Sequence, residues 1–274
     1  MTYKDITIII LLFNTPNKFL INLKNYKNFK IVILDQSNDF ETKKKIKKIL
    51  PNILYYKITK TNYGFAKAIN FLSKKVKTKF FLCTQPDVKI DLKSILNLKK
   101  VFNKKKDCII SLPKITTYKN YKFTNKRQKI IPVKNMIGAI FLTKKKLFNQ
   151  INKFDEDFFF YWEDVDLSRR IRNSKFKLYI NKNSKAAHFA GQSTSKTFKD
   201  KFIKNVNFKF GEYLYQYKYS ELKLIKIFRE PITKFLLIFF YLFTFQFKKS
   251  NMNFFHFIGI IKFFIYHLKN INLK

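Results

Sequence analysis

Acidic residues are scarce in this 274-residue chain, 17 against 57 lysines and arginines, and so are cysteine (2), glycine (5) and proline (6). Two cysteines, Cys83 and Cys108, make neither a disulfide framework nor a paired-cysteine metal motif, and they point to a reducing compartment. So little glycine and proline, beside 46% hydrophobic and 18% aromatic residues, excludes a disordered or collagen-like chain. The length suffices for one sizeable core, with or without an appendage. No apolar run reaches the roughly 18 to 20 residues of a spanning helix. The N-terminus offers only about eight apolar residues after Lys4 and Asp5 and no small-residue cleavage site, so it reads as a buried strand and not as a signal peptide.

The formal net charge of +40 invites a nucleic-acid reading, because clustered cations bind phosphate by releasing counterions. Arginine argues against it. Only Arg127, Arg169, Arg170, Arg172 and Arg229 are present, whereas base-reading surfaces favour the arginine fork. Lysine, asparagine, isoleucine and phenylalanine are inflated together, as in a compositional bias spread over the whole surface. Such a surface still suits anionic lipid headgroups and phosphorylated substrates.

Residues 6–13 and 31–34 are short, branched apolar runs bounded by polar turns, the pattern of parallel strands covered on both faces. Between them, Phe19, Leu20, Leu23 and Tyr26 recur at helical spacing across residues 17–27. The alternation continues with helices at 42–50 and 64–75 and strands at 53–58, 80–83 and 137–143, so the chain is read as α/β with a mostly parallel sheet. Ligands of such sheets bind beyond the carboxyl ends of the strands. Asp35 and Asp87 each follow a strand directly, which places two carboxylates at one crevice. Residues 114–134 are irregular and polar and are expected to form a long loop. After Gly211 the composition shifts to aromatic runs at 235–243 and 253–268 edged by lysines, expected to be interfacial helices.

Four polar islands stand out in order: Asp35-Gln36-Ser37-Asn38-Asp39, Asn62-Tyr63-Gly64-Phe65, Gln85-Pro86-Asp87, and Phe160-Tyr161-Trp162-Glu163-Asp164-Val165-Asp166-Leu167. A lone His188 follows, ahead of Gly191-Gln192-Ser193. As an ordered set over about residues 5 to 200, they resemble the family 2 inverting glycosyltransferases of GT-A fold, particularly the rhamnosyltransferase-like and galactofuranosyltransferase-like branch. Each island also has a plainer reading. Asp35 opens good turn chemistry, Asn62 and Gly64 suit an ordinary helix entry, and acids favour a helix N-terminus such as that of Glu163 and Asp164.

The resemblance implies that Asp35 contacts the nucleotide and that Asn62 and Gly64 lie near the diphosphate, where a glycine opening a helix lets backbone N–H groups approach an anion. It places Gln85 and Asp87 at the family's Asp-x-Asp motif, which holds Mg2+ or Mn2+ through hard oxygen ligands. Gln85 departs from that motif, since it supplies no carboxylate. His188 would complete the metal shell or touch the diphosphate. Asp164 matches the base that deprotonates the acceptor hydroxyl in an inverting transfer, with Glu163 beside it. Trp162, Tyr161 and Asp166 would lie on the acceptor side, unless Asp166 only orients Arg169 or Arg170.

The sequence is therefore read as a Rossmann-like GT-A catalytic domain over residues 1–212 and a helical, membrane-associated tail over 213–274. The expected activity is transfer of a hexose, with rhamnose a candidate, from a dTDP- or UDP-sugar to a lipid-linked or surface-polysaccharide acceptor, with no nucleic-acid partner. The expected location is the cytoplasmic face of the cell membrane, peripheral and held to anionic lipid. The competing readings are an inactive relative, prompted by Gln85, and a basic membrane-surface or nucleic-acid-binding module without catalysis. Convergence of Asp35, Asp87, Glu163 and Asp164 on one crevice would argue against the last, because such a pocket repels phosphate unless a metal intervenes.

Overall fold

The computed structural model describes residues 3–37, 39–117, 127–191 and 197–271. Asn38, the middle of the 114–134 stretch, and Gln192 and Ser193 lie outside the described residues. The chain divides into two compact units, one of Met1–Glu156 with Glu163–Ser195, the other of Asp157–Trp162 with Lys196–Lys274.

The first unit is an α/β layer structure. Its strands are β1 (Ile6–Leu12), β2 (Lys30–Asp35), β3 (Ile53–Ile58), β4 (Phe80–Thr84), β5 (Val88–Ile90), β6 (Cys108–Ile115), β7 (Ile130–Val133), β8 (Ile140–Lys144) and β9 (Lys177–His188). Helices α1 (Asn17–Leu20), α2 (Phe40–Ile49), α3 (Ala66–Lys75), α4 (Leu92–Lys104), α5 (Lys145–Gln150) and α6 (Glu163–Arg172) alternate with them. The described strands form one sheet in the order β3-β2-β1-β4-β8-β6-β9-β5, with β7 also on β9. Pairing is parallel from β3 through β4 and again between β6 and β9. β8 runs antiparallel to its neighbours, as do β5 and β7 to β9. Ile6, Ile8, Ile9 and Ile10 are all fully buried, as a strand covered on both faces requires.

Three differences from the sequence reading have local causes. The helix expected at 17–27 is one α-turn, α1, followed by a 3-10 stretch at Ile21–Tyr26. There Asn22 and Asn25 donate to the carbonyls of Pro86 and Ile90, so tertiary hydrogen bonds win over helix propensity. Within the expected loop at 114–134, residues 130–133 form an edge strand against β9, a position that tolerates Pro132. The strands β5, β6 and β9 had no clear periodic signature, being short or mixed in character.

The second unit is helical: α7 (Phe198–Lys218), α8 (Leu224–Phe243) and α9 (Phe247–Ile271). A capping box of Thr197 and Asp200 starts α7. The 212/213 boundary expected from composition falls inside this helix. Gly259 of α9 lies so close to α7 that a Cβ there would sit 2.6 Å from the Val206 carbonyl oxygen. The two aromatic stretches expected to be interfacial helices differ in burial. Phe255, Ile260 and Phe263 of α9 are buried, whereas α8 has no buried residue. Among the described residues no helix is long and apolar enough to cross a membrane.

Candidate active site

The parallel strands β1 to β4 bring their carboxyl ends to one edge, and because β8 runs the other way its start lies there too, Ile140 opposite Thr84. β2 ends on Asp35, which is fully buried. Its carboxylate accepts the Tyr56 hydroxyl at 2.8 Å and the Ser37 N–H at 3.0 Å, so turn chemistry and a fixed site carboxylate are here one geometry. Burial, and then the Asp35 charge, push the Tyr56 phenol up, keeping it a donor. The Gln36 side chain accepts the Tyr63 N–H and so ties this turn to the next island.

In that island Asn62 Oδ1 accepts the Gly64 N–H at 2.8 Å, a local turn that occupies the asparagine side chain. Gly64 has φ of +74°, a conformation in which glycine carries no Cβ penalty. The next residue, Phe65, lies against Gly138, 3.4 Å from where a Cβ would stand.

Gly138 also donates its N–H to Asp164 Oδ2 at 3.0 Å. Asp164 and Glu163 open α6, whose last turn carries Arg169, Arg170 and Arg172, a charge order that complements the helix dipole. Ser168 secures the helix by donating to the Asp164 carbonyl and accepting the Met136 N–H. Burial raises the Asp164 carboxyl above its ordinary range, opposed by the hydrogen bond from Gly138. Glu163 is buried, and one of its carboxyl oxygens has no hydrogen-bond partner among the described residues. Burial, and then the Asp164 charge, push its carboxyl well up. The two adjacent acids therefore differ: one held by a backbone donor and half-buried, the other enclosed and favoured in its neutral form. Burial and Glu163 also raise the Cys83 thiol, which marks Glu163 as a neighbour of the end of β4.

Asp87 and His188, 101 positions apart, are brought together by the antiparallel register of β5 and β9, in which Val88 faces His188. The Asp87 Oδ2 to His188 Nε2 distance is 3.8 Å, and Asp87 is fully buried. Thr117 holds the histidine backbone, donating to the His188 carbonyl at 2.7 Å and accepting its N–H at 3.2 Å. Burial lowers the imidazole below its ordinary range, with the Asp87 charge opposing, so the ring is biased to the neutral, ligating form. Gln85 accepts the Val88 N–H through its carbonyl, and its side chain is half-buried in the same turn.

Among the described residues no three His, Cys, Asp or Glu side chains form a metal cluster. An octahedral Mg2+ or Mn2+ site nevertheless sets neighbouring ligands about 3 Å apart and commonly takes only one or two protein groups, the rest being phosphate oxygens and water. One carboxylate and one imidazole 3.8 Å apart fit that requirement.

The acceptor-side residues are distributed otherwise. Asp166 is fully buried and paired with Arg170 at 2.8 Å, and Arg170 in turn donates to the carbonyls of Ile151 and Lys153. Tyr161 and Trp162 belong to the helical unit. Both have positive φ, 69° and 71°, and Trp162 packs between Phe208 and Tyr215 with its indole N–H buried and without a partner among the described residues. Tyr161 is partly exposed beside Phe208.

Sequence reasoning missed Gln36, Tyr56, Thr117 and Gly138 as supports. Gln36 lay within a polar island already singled out, and Gly138 had a signal as one of 5 glycines, close to the start of β8.

The model of the family described as Glycosyl transferase family 2 matches residues 7–170. The chain resembles a solved structure described as GalNAc-T7 with UDP, GalNAc and Mn2+, at a TM-score of 0.56 and 14% identity, over 67% of this chain and 42% of that one. It also resembles TarS of S. aureus, at a TM-score of 0.53 and 14% identity, over 86% of this chain and 43% of that one. At such identity the likeness is one of fold, and the chain spans less than half the length of either. No curated protein matches it.

Proposed function

The chain belongs to glycosyl transferase family 2, and from that premise we propose that it inverts the anomeric carbon while moving a hexose from a nucleoside diphosphate sugar to a glycan acceptor. The observation that carries the reading is the Asp164 carboxylate, fixed by the Gly138 N–H at the carboxyl edge of the sheet. As a half-buried base with a raised proton affinity, it suits removal of the acceptor hydroxyl proton during attack. Asp35 would contact the nucleotide, and the Asn62-Gly64 turn would lie near its phosphates. Asp87 and His188 would hold a divalent ion, which when bound neutralises charge on the departing diphosphate. The Mn2+ and UDP named for the GalNAc-T7 structure support this choice of ion and donor class.

For the finer identity we propose a dTDP- or UDP-sugar donor, rhamnose among the candidates, and a lipid-linked or surface-polysaccharide acceptor at the cytoplasmic face of a membrane. The basic surface and the exposed aromatic residues of α8 support that location. Gln85 favours one competing reading, a family member that binds the donor without transfer. The test is hydrolysis and transfer across a panel of nucleotide sugars with and without Mn2+. Turnover of at least one sugar supports the transferase reading, and donor binding with no turnover of any supports the competitor.

A further inference from the structure

Helix α8 is built inside out. A helix on a water-soluble protein turns its apolar stripe inward and its charges outward. In α8 the charged side chains of Lys226 and Glu230 face the helical unit. Glu230 accepts Lys209 at 2.8 Å and the Tyr213 hydroxyl at 3.0 Å, and Lys226 pairs with Glu212 and donates to Gln216 at 2.9 Å. These contacts tie α8 to α7 by a partly buried ionic network. Phe228, Ile232, Leu236, Phe239 and Phe243 recur at spacings of four, four, three and four, which at 100° per residue confines them to an arc of about 80°. All five are exposed, Phe243 to 81%, and Phe245 in the following turn to 80%. The outward stripe is thus the apolar one, along a helix of 20 residues.

We propose that this stripe lies in the plane of an anionic lipid bilayer and is the surface by which the protein is held there. Charge selects lipid over a second copy of the chain. Exposed Lys223 and Arg229 stand near one end of the stripe and Lys248 and Lys249 just beyond the other, while the one acid of the helix, Glu230, is turned into the ionic network. Self-association through this face would set two chains of net charge +40 against each other, whereas anionic headgroups match the cationic ends and the acyl boundary matches the stripe. The helix lies in the interface and does not span, in keeping with the absence of a spanning helix among the described residues. The surface belongs to the membrane part of the proposed function and is independent of its chemistry.

The experiment is flotation of the full chain with vesicles of phosphatidylcholine, with and without phosphatidylglycerol. Removal of the tail is a poor probe, because α9 buries Phe255, Ile260 and Phe263 within the same unit. Point variants on the exposed stripe avoid that. The wild type is expected to float with the anionic vesicles and to remain largely bound at high salt, since buried aromatic area is not screened. The double variant Phe239→Glu with Phe243→Glu is expected to lower the bound fraction at least about tenfold, while the fluorescence of Trp162, the single tryptophan, stays unchanged. Failure to float with anionic vesicles overturns the proposal, as does complete release by salt. Light scattering that shows a dimer dissolved by the same variants would assign the stripe to a second copy. Donor hydrolysis is read separately, so vesicle binding without turnover would refute the chemistry and leave this surface standing.

Discussion

Replacing Asp164 by Asn separates the proposed base from everything the carboxylate does structurally. The Asn oxygen still accepts the Gly138 N–H that meets Asp164 Oδ2 at 3.0 Å, and the change in volume is negligible, so the fold is expected to survive. Loss of charge strength in that one hydrogen bond costs about 1 kcal/mol, offset by no longer holding a desolvated carboxylate. Turnover is expected to fall by about 10²- to 10⁴-fold, the usual contribution of a positioned general base, which is about 2.7 to 5.4 kcal/mol of barrier. The raised proton affinity adds a pH signature. A base must be deprotonated, so wild-type kcat should decline as pH falls through a pKa above the ordinary carboxylate range, and the variant should lack that limb. The assay is steady-state transfer across pH, with donor affinity measured by calorimetry. Turnover within about threefold of wild type, or donor binding lost in step with turnover, would refute the assignment.

Asp87→Asn and His188→Ala should each weaken Mn2+-dependent donor binding, and Gln85→Asp should tighten it by adding a hard ligand. Donor binding and transfer untouched by chelator would mean that these residues hold no catalytic metal. Glu163→Gln should leave denaturant stability similar near pH 4 but raise it near pH 8. The sign follows from a raised folded-state pKa, whose stabilising protonation is lost as pH rises through it. An equal effect at both pH values would contradict the enclosed neutral acid. Gly259→Ala should destabilise the helical unit by about 1–3 kcal/mol or more, because its Cβ meets the Val206 backbone. Trp162 fluorescence during denaturation reports on that unit, and an unchanged midpoint would rule out the close crossing.

The strands β1 and β2 were legible because burial on both faces writes itself as nearly unbroken Ile, Val and Leu runs, and β4 showed as a short apolar run of Phe, Phe, Leu and Cys. The carboxylates of the first unit were legible because strand ends and a helix start are positions of local pattern. What was not legible depends on pairings between distant segments. Nothing around Thr117 signals that it clasps His188, 71 residues on, and nothing around Gly138 signals a bond to Asp164. Tyr161 and Trp162 read as acceptor-side residues, and nothing in their local pattern signals that Trp162 packs against Phe208 and Tyr215 of α7. The aromatic content of the tail was equally ambiguous, since the same composition serves as core in α9 and as an outward stripe in α8.

The excursion of Asp157–Trp162 into the helical unit has a consequence in time. A ribosome delivers this segment before any of α7, α8 or α9, and its packing partners Phe208 and Tyr215 come later still. At about 5–20 residues per second, the last 79 residues after Ser195 take roughly 4–16 s to appear. Through that interval Phe158, Phe159, Phe160, Tyr161 and Trp162 have no completed unit to enter, and β9, which must find its place between β6 and β5, has only just been made. The newborn chain thus carries five consecutive aromatic residues uncovered in mid-synthesis, and chaperones that shield aromatic segments should engage it there, before the tail has left the ribosome.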